Sequence, residues 1–263
     1  MHISAVAAQF PVSLSIADNV RQIRSLLEQA QPDELLILPE GAISGYAEDM
    51  SFLETVDTGE LDRALGDVQQ AAQQSGAHLV VGSCLYEGDR WRNAALYFAP
   101  DGSQSTYYKV NLATHERGIL TAGDRLPIFL MRFADGTAIV GIQLCREIRF
   151  PEQWRALARQ GAQVFAYLTY AANHDAPPGV WRSHLISRAA ENQRFIVGAN
   201  TAHAHQHCPT TIISPRGVIL CETKTRMNTE IIRSALDLAE VADWYLDQCR
   251  TDVVSLTGVS GSE

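Results

Sequence analysis

Short runs of almost wholly apolar residues recur along this chain, separated by stretches whose apolar positions return every three or four residues. The first kind of run reads as buried strand and the second as amphipathic helix. Residues 3–9 open the series as a strand. A stripe of Val20, Ile23, Leu26, Leu27 and Ala30 follows as a helix, for which Asp18 or Asn19 can supply the cap. Leu35-Leu36-Ile37-Leu38-Pro39 is a second strand, Leu61, Leu65, Val68 and Ala72 mark a second helix, and residues 78–84 a third strand. The rhythm then changes. Residues 94–98 and 105–109 flank Pro100-Asp101-Gly102, and residues 128–133 and 137–144 flank Asp135-Gly136, which is hairpin punctuation. A helix opening at Pro151 and stopping at Gly161, a strand over 164–169, a helix over 180–191 and a strand over 195–200 restore the alternation. A last hairpin joins 210–214 to 218–221 about Pro215-Arg216-Gly217.

Crossover strands mixed with hairpins predict an α/β chain with mixed sheets. Strands that are apolar throughout must be covered on both faces, which favours two sheets packed together with helices outside. No internal repeat or low-complexity linker divides residues 1–256, so a single domain is expected; residues 257–263, rich in Gly and Ser, read as a disordered tail. The formal charge of −9 includes no lysine or arginine cluster, so nucleic acid and anionic membrane surfaces are poor partners. No apolar run nears the ~20 residues that cross a bilayer, and the start of the chain lacks a basic leader. Cysteines at 84, 145, 208, 221 and 249 form neither metal spacing nor an even framework, which predicts a reducing cytoplasm.

Chemistry concentrates at strand ends. The strand ending at Leu144 stops at Cys145, and Pro151 with Glu152 suits the first turn of a helix whose inward face is Trp154, Leu157 and Ala158. A sharp strand-turn-helix would hold one thiol at the edge of a sheet, although a free cysteine more often serves as a small buried hydrophobe. Glu40 follows Leu38-Pro39, Lys109 follows Tyr107-Tyr108, and Glu116 sits in Thr114-His115-Glu116-Arg117-Gly118. Taken singly, these are a turn cap, a solvated edge lysine and a surface acid. Together, they supply what cleavage of an amide or nitrile C–N bond needs: a soft nucleophile, a base, a positive group for the oxyanion and an acid for the leaving ammonia.

At this point the chain resembles the nitrilase superfamily of carbon-nitrogen hydrolases over nearly its whole length. The segments that carry the resemblance are Leu38-Pro39-Glu40 with Gly45-Tyr46; Tyr108-Lys109-Val110-Asn111-Leu112; Glu116 with Gly123; Cys145 with Arg149-Phe150-Pro151-Glu152; Arg188-Ala189-Ala190-Glu191-Asn192 with Ala199-Asn200; and Ile212-Ile213-Ser214-Pro215-Arg216-Gly217. The resemblance implies a four-layer α-β-β-α sandwich and a Glu-Lys-Cys triad with a second Glu. By motif position, Glu40 would be the general base, Lys109 the oxyanion stabiliser, Glu116 the residue that orients the lysine and the water, and Cys145 the nucleophile that forms a thioester. A lysine between two carboxylates stays protonated when buried. Its charge and the nearby helix are expected to favour thiolate at Cys145, and the Arg146 N–H is the expected second oxyanion donor.

Where many amidase-like members carry an aromatic residue and an aspartate after the nucleophile, this chain has Arg146 and Glu147; where many have a proline after the following strand, it has Thr169-Tyr170. Tyr46, Thr169, Tyr170 and Arg149 are candidate substrate-binding residues. Arg149 occupies the position at which some family enzymes bind a substrate's acid group, or it forms a structural ion pair with Glu147, Glu152 or another acid. His203, His205 and His207 alternate beside Cys208; as a strand they would share one face and could hold zinc, or they form a solvated or pocket-lining loop. The family chemistry implies no metal and no cofactor. Trp154 and Trp181 read as core or subunit-contact residues. The expected function is hydrolysis of a small carboxamide to carboxylate and ammonia, by a homodimer or larger homo-oligomer. The amide is preferred to a nitrile because Arg149-Phe150-Pro151-Glu152 resembles the amidase and carbamoylase branches. Nitrile or N-carbamoyl hydrolysis with the same triad is an alternative, as is a catalytically silent partner-binding module on this fold.

Overall fold

The structure, a computed structural model, describes residues 1–172, 177 and 179–250; the tail expected at 257–263 lies outside the described residues. The first half of the chain builds β1 (His2–Gln9), α1 (Ile16–Leu27), β2 (Glu34–Ile37), α2 (Thr58–Ser75), β3 (His78–Glu87), β4 (Arg90–Phe98) and β5 (Gln104–Tyr108). The second half builds β6 (Ile128–Phe133), β7 (Gly136–Leu144), α3 (Pro151–Arg159), β8 (Val164–Thr169), α4 (Val180–Asn192), β9 (Phe195–Asn200), β10 (Thr211–Ile213), β11 (Ile219–Glu222), β12 (Glu230–Asp237) and the short α5 (Trp244–Asp247).

The strands form two six-stranded sheets, ordered β12-β1-β2-β3-β4-β5 and β11-β10-β9-β8-β7-β6. Within each, three strands run parallel, β1-β2-β3 and β7-β8-β9, and the rest pair antiparallel. The sheets pack face to face through residues such as Val80, Ala95, Tyr107, Ile142, Leu144, Leu168 and Val197. Helices α1 and α2 bury Ile23, Leu26, Leu61 and Val68 on the outer face of the first sheet. On the second, Trp154 and Leu157 of α3 and Trp181 and Leu185 of α4 do the same. This is the expected four-layer α-β-β-α sandwich, and it explains why the parallel strands are apolar on both faces. Trp154 and Trp181 are core residues of the α3–α4 layer.

One local expectation is corrected and two elements are added. The cap of α1 is Ser15, which accepts from the Asp18 N–H; Asn19 is buried and instead bonds to the backbone of Ser13 and Ile43. A hairpin absent from the sequence reading joins β3 to β4 through Gly88 and Asp89, both with positive φ (55° and 60°), as a two-residue turn between twisted strands requires. Strand β12 was also unforeseen. It closes the edge of the first sheet by pairing with β1 over His2↔Asp237 to Gln9↔Glu230.

Candidate active site

Four chain segments converge at one end of the sandwich. Glu40 follows β2, and its backbone lies so close to β3 that a Cβ on Gly82 would stand 2.6 Å from the Glu40 Cα; only glycine permits this approach. Lys109 follows β5 and is fixed at both backbone polar groups: its N–H donates to the Asn93 carbonyl (2.9 Å) and its carbonyl accepts the Gly123 N–H (2.8 Å). A Cβ on Gly123 would run into the Tyr108 carbonyl oxygen. Glu116 ends the short turn Thr114–Glu116 and points inward, its Oε2 accepting the Ala113 N–H at 2.5 Å.

The side chains of Glu40, Lys109 and Glu116 are all 0% exposed. Lys109 Nζ lies 2.9 Å from Glu40 Oε1 and 2.9 Å from Glu116 Oε1. Asn93 Nδ2 donates to the same two oxygens at 2.8 and 2.7 Å, and the Tyr46 hydroxyl donates to Glu116 Oε1 at 2.8 Å. Burial alone would lower the lysine's pKa, but the Glu40 and Glu116 charges outweigh it and hold the ammonium protonated well above its ordinary range. Glu116 shows the converse. Burial pushes its carboxyl up, and Lys109, the Ala113 N–H and Asn93 together bring it below the ordinary value. The surface reading of Glu116 is thus wrong, because a turn buries the acid against its lysine. Asn93 was missed; its one signal is an amide heading the apolar run Ala94-Ala95-Leu96 in β4.

Cys145 sits where β7 turns toward α3, with φ at +39°. For a residue with a Cβ this left-handed conformation costs about 1–3 kcal/mol, and the surroundings hold it in place. Tyr167 donates to the Cys145 carbonyl (2.8 Å), and the N–H of Leu144 donates to Glu147 Oε2 (2.8 Å). Glu147 Oε1 accepts the Tyr107 hydroxyl (2.7 Å) and the N–H groups of Val110 (2.9 Å) and Asn111 (3.1 Å). One fully buried carboxylate therefore ties the segment after Lys109 to the turn carrying Cys145. Sequence reading offered Glu147 only as a partner for Arg149.

The expectation of thiolate at Cys145 is corrected. Burial first, and then the negative charge of Glu40, push the thiol up to about 12, against the smaller opposing pull of Lys109 and Thr169. The reason is a charge balance: two carboxylates share one ammonium, and a thiolate would bring a second uncompensated negative charge into a dry site. Burial and the two acids together favour the neutral thiol at rest.

The candidate pocket residues divide. The backbone N–H of Tyr170 donates to Glu40 Oε2 (3.0 Å), and its ring lies 5.4 Å from that of Tyr46. Buried Thr169 lies against the thiol. Arg149 is exposed and pairs with no acid among the described residues; Nη1 is 2.9 Å from His184 Nε2 and the guanidinium lies over the Trp181 ring. The histidine segment is a turn rather than a strand, so its imidazoles do not share a face. His203 and His205 rings neighbour each other at 5.4 Å while His207 packs on Trp181 at 5.3 Å. Among the described residues no group of His, Cys, Asp or Glu is arranged to hold a metal ion, and no helix is long and apolar enough to cross a membrane.

The family model described as carbon-nitrogen hydrolase matches residues 3–246. The chain belongs to this family. An (R)-stereoselective amidase of Pseudomonas sp. is 29% identical to it over 243 residues, 90% of this chain and 86% of the relative. A 2-oxoglutaramate amidase of Bacillus subtilis is 28% identical over 246 residues, 89% and 91% of the two chains. The fold matches that of a variant of the amidase from Nesterenkonia sp. AN1, with a TM-score of 0.79 at 22% identity over 95% of each chain. In that structure the acetamide moiety of fluoroacetamide is covalently attached at the active-site cysteine. The nitrilase-type sandwich and the hydrolase family expected from the motifs are both found.

Proposed function

We propose that this carbon-nitrogen hydrolase is an amidase that converts a small carboxamide to carboxylate and ammonia through a thioester on Cys145. The observation that carries this reading is the buried ammonium of Lys109, held 2.9 Å from each of two carboxylates at the end of the sandwich where the strained Cys145 turn lies. In attack, the sulfur bonds to the amide carbon while its proton passes to Glu40. Oε1 of Glu40 is engaged by Lys109 and Asn93, so Oε2, which accepts the Tyr170 N–H, keeps lone-pair capacity for that proton. Two of the lysine's three N–H groups serve the acids, and the third is available to the oxyanion together with the backbone N–H of Arg146.

Collapse breaks the C–N bond, and Glu40 returns its proton to the departing nitrogen. Water then attacks the thioester, giving one proton to Glu40, and the sulfur leaves as the thiol when that proton returns to it. Because the resting thiol is neutral, Glu40 acts as a base during attack, without a preformed ion pair. Glu116 holds the lysine in place with Asn93 and Tyr46. The amidase names of the relatives support an amide over a nitrile; a homo-oligomer belongs to the same proposal, as does a reducing cytoplasm, the compartment that five unpaired cysteines suit.

Intact-mass analysis during turnover of short amides tests the mechanism, with ammonia release followed in parallel. The wild type should gain the mass of the acyl group, and Cys145→Ala should gain nothing and release no ammonia. Turnover surviving in Cys145→Ala would overturn the thiol mechanism. Hydrolysis of nitriles or N-carbamoyl compounds, but not amides, would move the substrate to those classes.

A further inference from the structure

The end of β8 touches the reaction site at three points. The Tyr167 hydroxyl donates to the Cys145 carbonyl (2.8 Å), and the Tyr170 N–H donates to Glu40 Oε2 (3.0 Å). Thr169 lies between them. Side chains alternate along a strand, so Thr169 projects to the same face of β8 as Tyr167. That is the face on which Ile148 and Cys145 pack.

Thr169 is 1% exposed, and its hydroxyl has no hydrogen-bond partner among the described residues. Its cross-strand neighbour in β9, Asn200, is committed elsewhere. The Asn200 amide donates to the Ala171 and Cys208 carbonyls (3.3 and 2.7 Å) and accepts the N–H groups of Ala171 and Thr201 (2.8 and 2.9 Å). The Tyr167 hydroxyl has one proton and gives it to the Cys145 carbonyl. Buried polar groups in folded proteins almost always find partners. An orphaned hydroxyl against the nucleophile therefore points to a partner that appears during the reaction. Burial, and then the Glu40 charge, push the Cys145 thiol up, while Lys109 and the Thr169 hydroxyl pull the other way and favour the anion.

The thioester route needs such a donor. Sulfur carries negative charge twice, first as its proton passes to Glu40 during attack and again as the thioester C–S bond breaks. Two N–H groups of Lys109 serve Glu40 and Glu116. The third serves the oxyanion with the Arg146 N–H, which leaves neither for the sulfur. We infer that the Thr169 hydroxyl is a catalytic hydrogen-bond donor to the Cys145 sulfur, closing on it when the sulfur becomes negative. This rests on the thioester reading at Cys145 and adds to it the group that stabilises the nucleophile itself. The bond strengthens as the thiol proton leaves and weakens as the S–C bond forms. It returns when the sulfur departs from the acyl carbon, until Glu40 gives the proton back. A contact made only in the charged state acts on rate and not on the fold.

The test removes the hydroxyl and keeps the branched shape. Thr169→Val should lower kcat for a short amide about tenfold to 100-fold, as loss of one hydrogen bond to a charged group does, with KM nearly unchanged. Thr169→Ser should restore most of that loss. Without any amide present, methyl methanethiosulfonate should modify Cys145, followed by peptide mass, about threefold to tenfold more slowly in Thr169→Val; this factor is smaller because a less stabilised thiolate is also a better nucleophile. Thr169→Ser should again recover the rate. The denaturant midpoint of Thr169→Val should not fall, since no resting hydrogen bond is lost. Wild-type rates of both turnover and modification in Thr169→Val would overturn the assignment. So would a stability loss with modification unchanged, which marks a structural hydroxyl, or a fall in kcat with modification unchanged, which puts the hydroxyl on substrate or water. If no amide is hydrolysed but modification shows the contrast between Val and Ser, the amidase reading fails and the sulfur contact stands. If amides are hydrolysed through Cys145 and neither rate changes in Thr169→Val, the donor role fails alone.

Discussion

The two halves of the sandwich share one strand plan and divide the chemistry unequally. From β12 to β5 and from β6 to β11, successive neighbours pair antiparallel, parallel, parallel, antiparallel and antiparallel, with two helices linking the parallel strands. The first half gathers Glu40, Lys109 and Glu116 into a compensated buried set. The second contributes the thiol, together with Glu147, which reaches back to Val110 and Asn111. The middle strands β2 and β8 meet at the site, where Glu40 beyond one accepts an N–H from Tyr170 beyond the other. Charge in the first half is therefore part of the fold as well as of the reaction, whereas the thiol in the second is needed by the reaction alone.

Removing one member from each half breaks this comparison most sharply. Lys109→Met leaves two buried carboxylates without their cation and should cost about 3–5 kcal/mol of stability as well as activity. Cys145→Ala should lose activity about 10⁴-fold or more while denaturant unfolding moves by no more than ~1–2 kcal/mol. Similar stability losses in both variants would show that the halves are not divided in this way.

The strand glycines give the next contrast. Gly82→Ala forces a Cβ to 2.6 Å from the Glu40 Cα, and ammonia release should fall roughly 100-fold or more. Gly198→Ala in β9, whose Cβ would meet nothing nearer than 3.5 Å, should fall by less than about tenfold. A smaller effect is expected from Glu147→Gln, because an amide offers one acceptor oxygen to donors that now share two. The variant should lose about 1–3 kcal/mol, kcat should fall about tenfold to 100-fold with KM nearly unchanged, and alkylation of Cys145 should slow.

Two pH measurements complete the series. The thiolate absorbance difference between wild type and Cys145→Ala should stay flat from about pH 6 to about pH 10, since burial and the Glu40 charge push the thiol up to about 12. A rise below about pH 8 would instead reveal a preformed thiolate. For stability, Glu116 has a lowered folded pKa, so its contribution is complete above the unfolded carboxyl value of about 4.3 and is lost as pH falls through the lower folded value. Glu116→Gln should remove that portion of acid unfolding. Lys109 has a raised folded pKa; its contribution is complete below about 10.4 and is lost only as pH rises through the higher folded value.

Part of this was legible in the chain because Glu40 and Cys145 each follow an apolar run, which states where a strand stops, and Lys109 follows the second arm of a hairpin punctuated by Pro100-Asp101-Gly102. The duplicated strand plan was not legible, since the halves share topology without repeated residues. The β3–β4 hairpin hid in Glu87-Gly88-Asp89-Arg90, which reads as a polar loop until the pairing Glu87↔Arg90 is seen. Strand β12 alternates too weakly to stand out beside Lys224, Arg226 and Arg233. Burial of Glu116 depends on one turn that no periodicity announces. The thiolate expectation failed because it counted the lysine without the acids facing it, and the pairing of Arg149 failed because aromatic and imidazole partners leave no charge pattern to read.

The surplus of one negative charge around Lys109 also gives the reaction a direction. An amide arrives neutral at the end that is cut, but hydrolysis turns that end into a carboxylate beside Glu40 and Glu116. The newborn acid is pushed outward by the same groups that made it, so turnover empties the site and reverse condensation is discouraged before any concentration gradient acts.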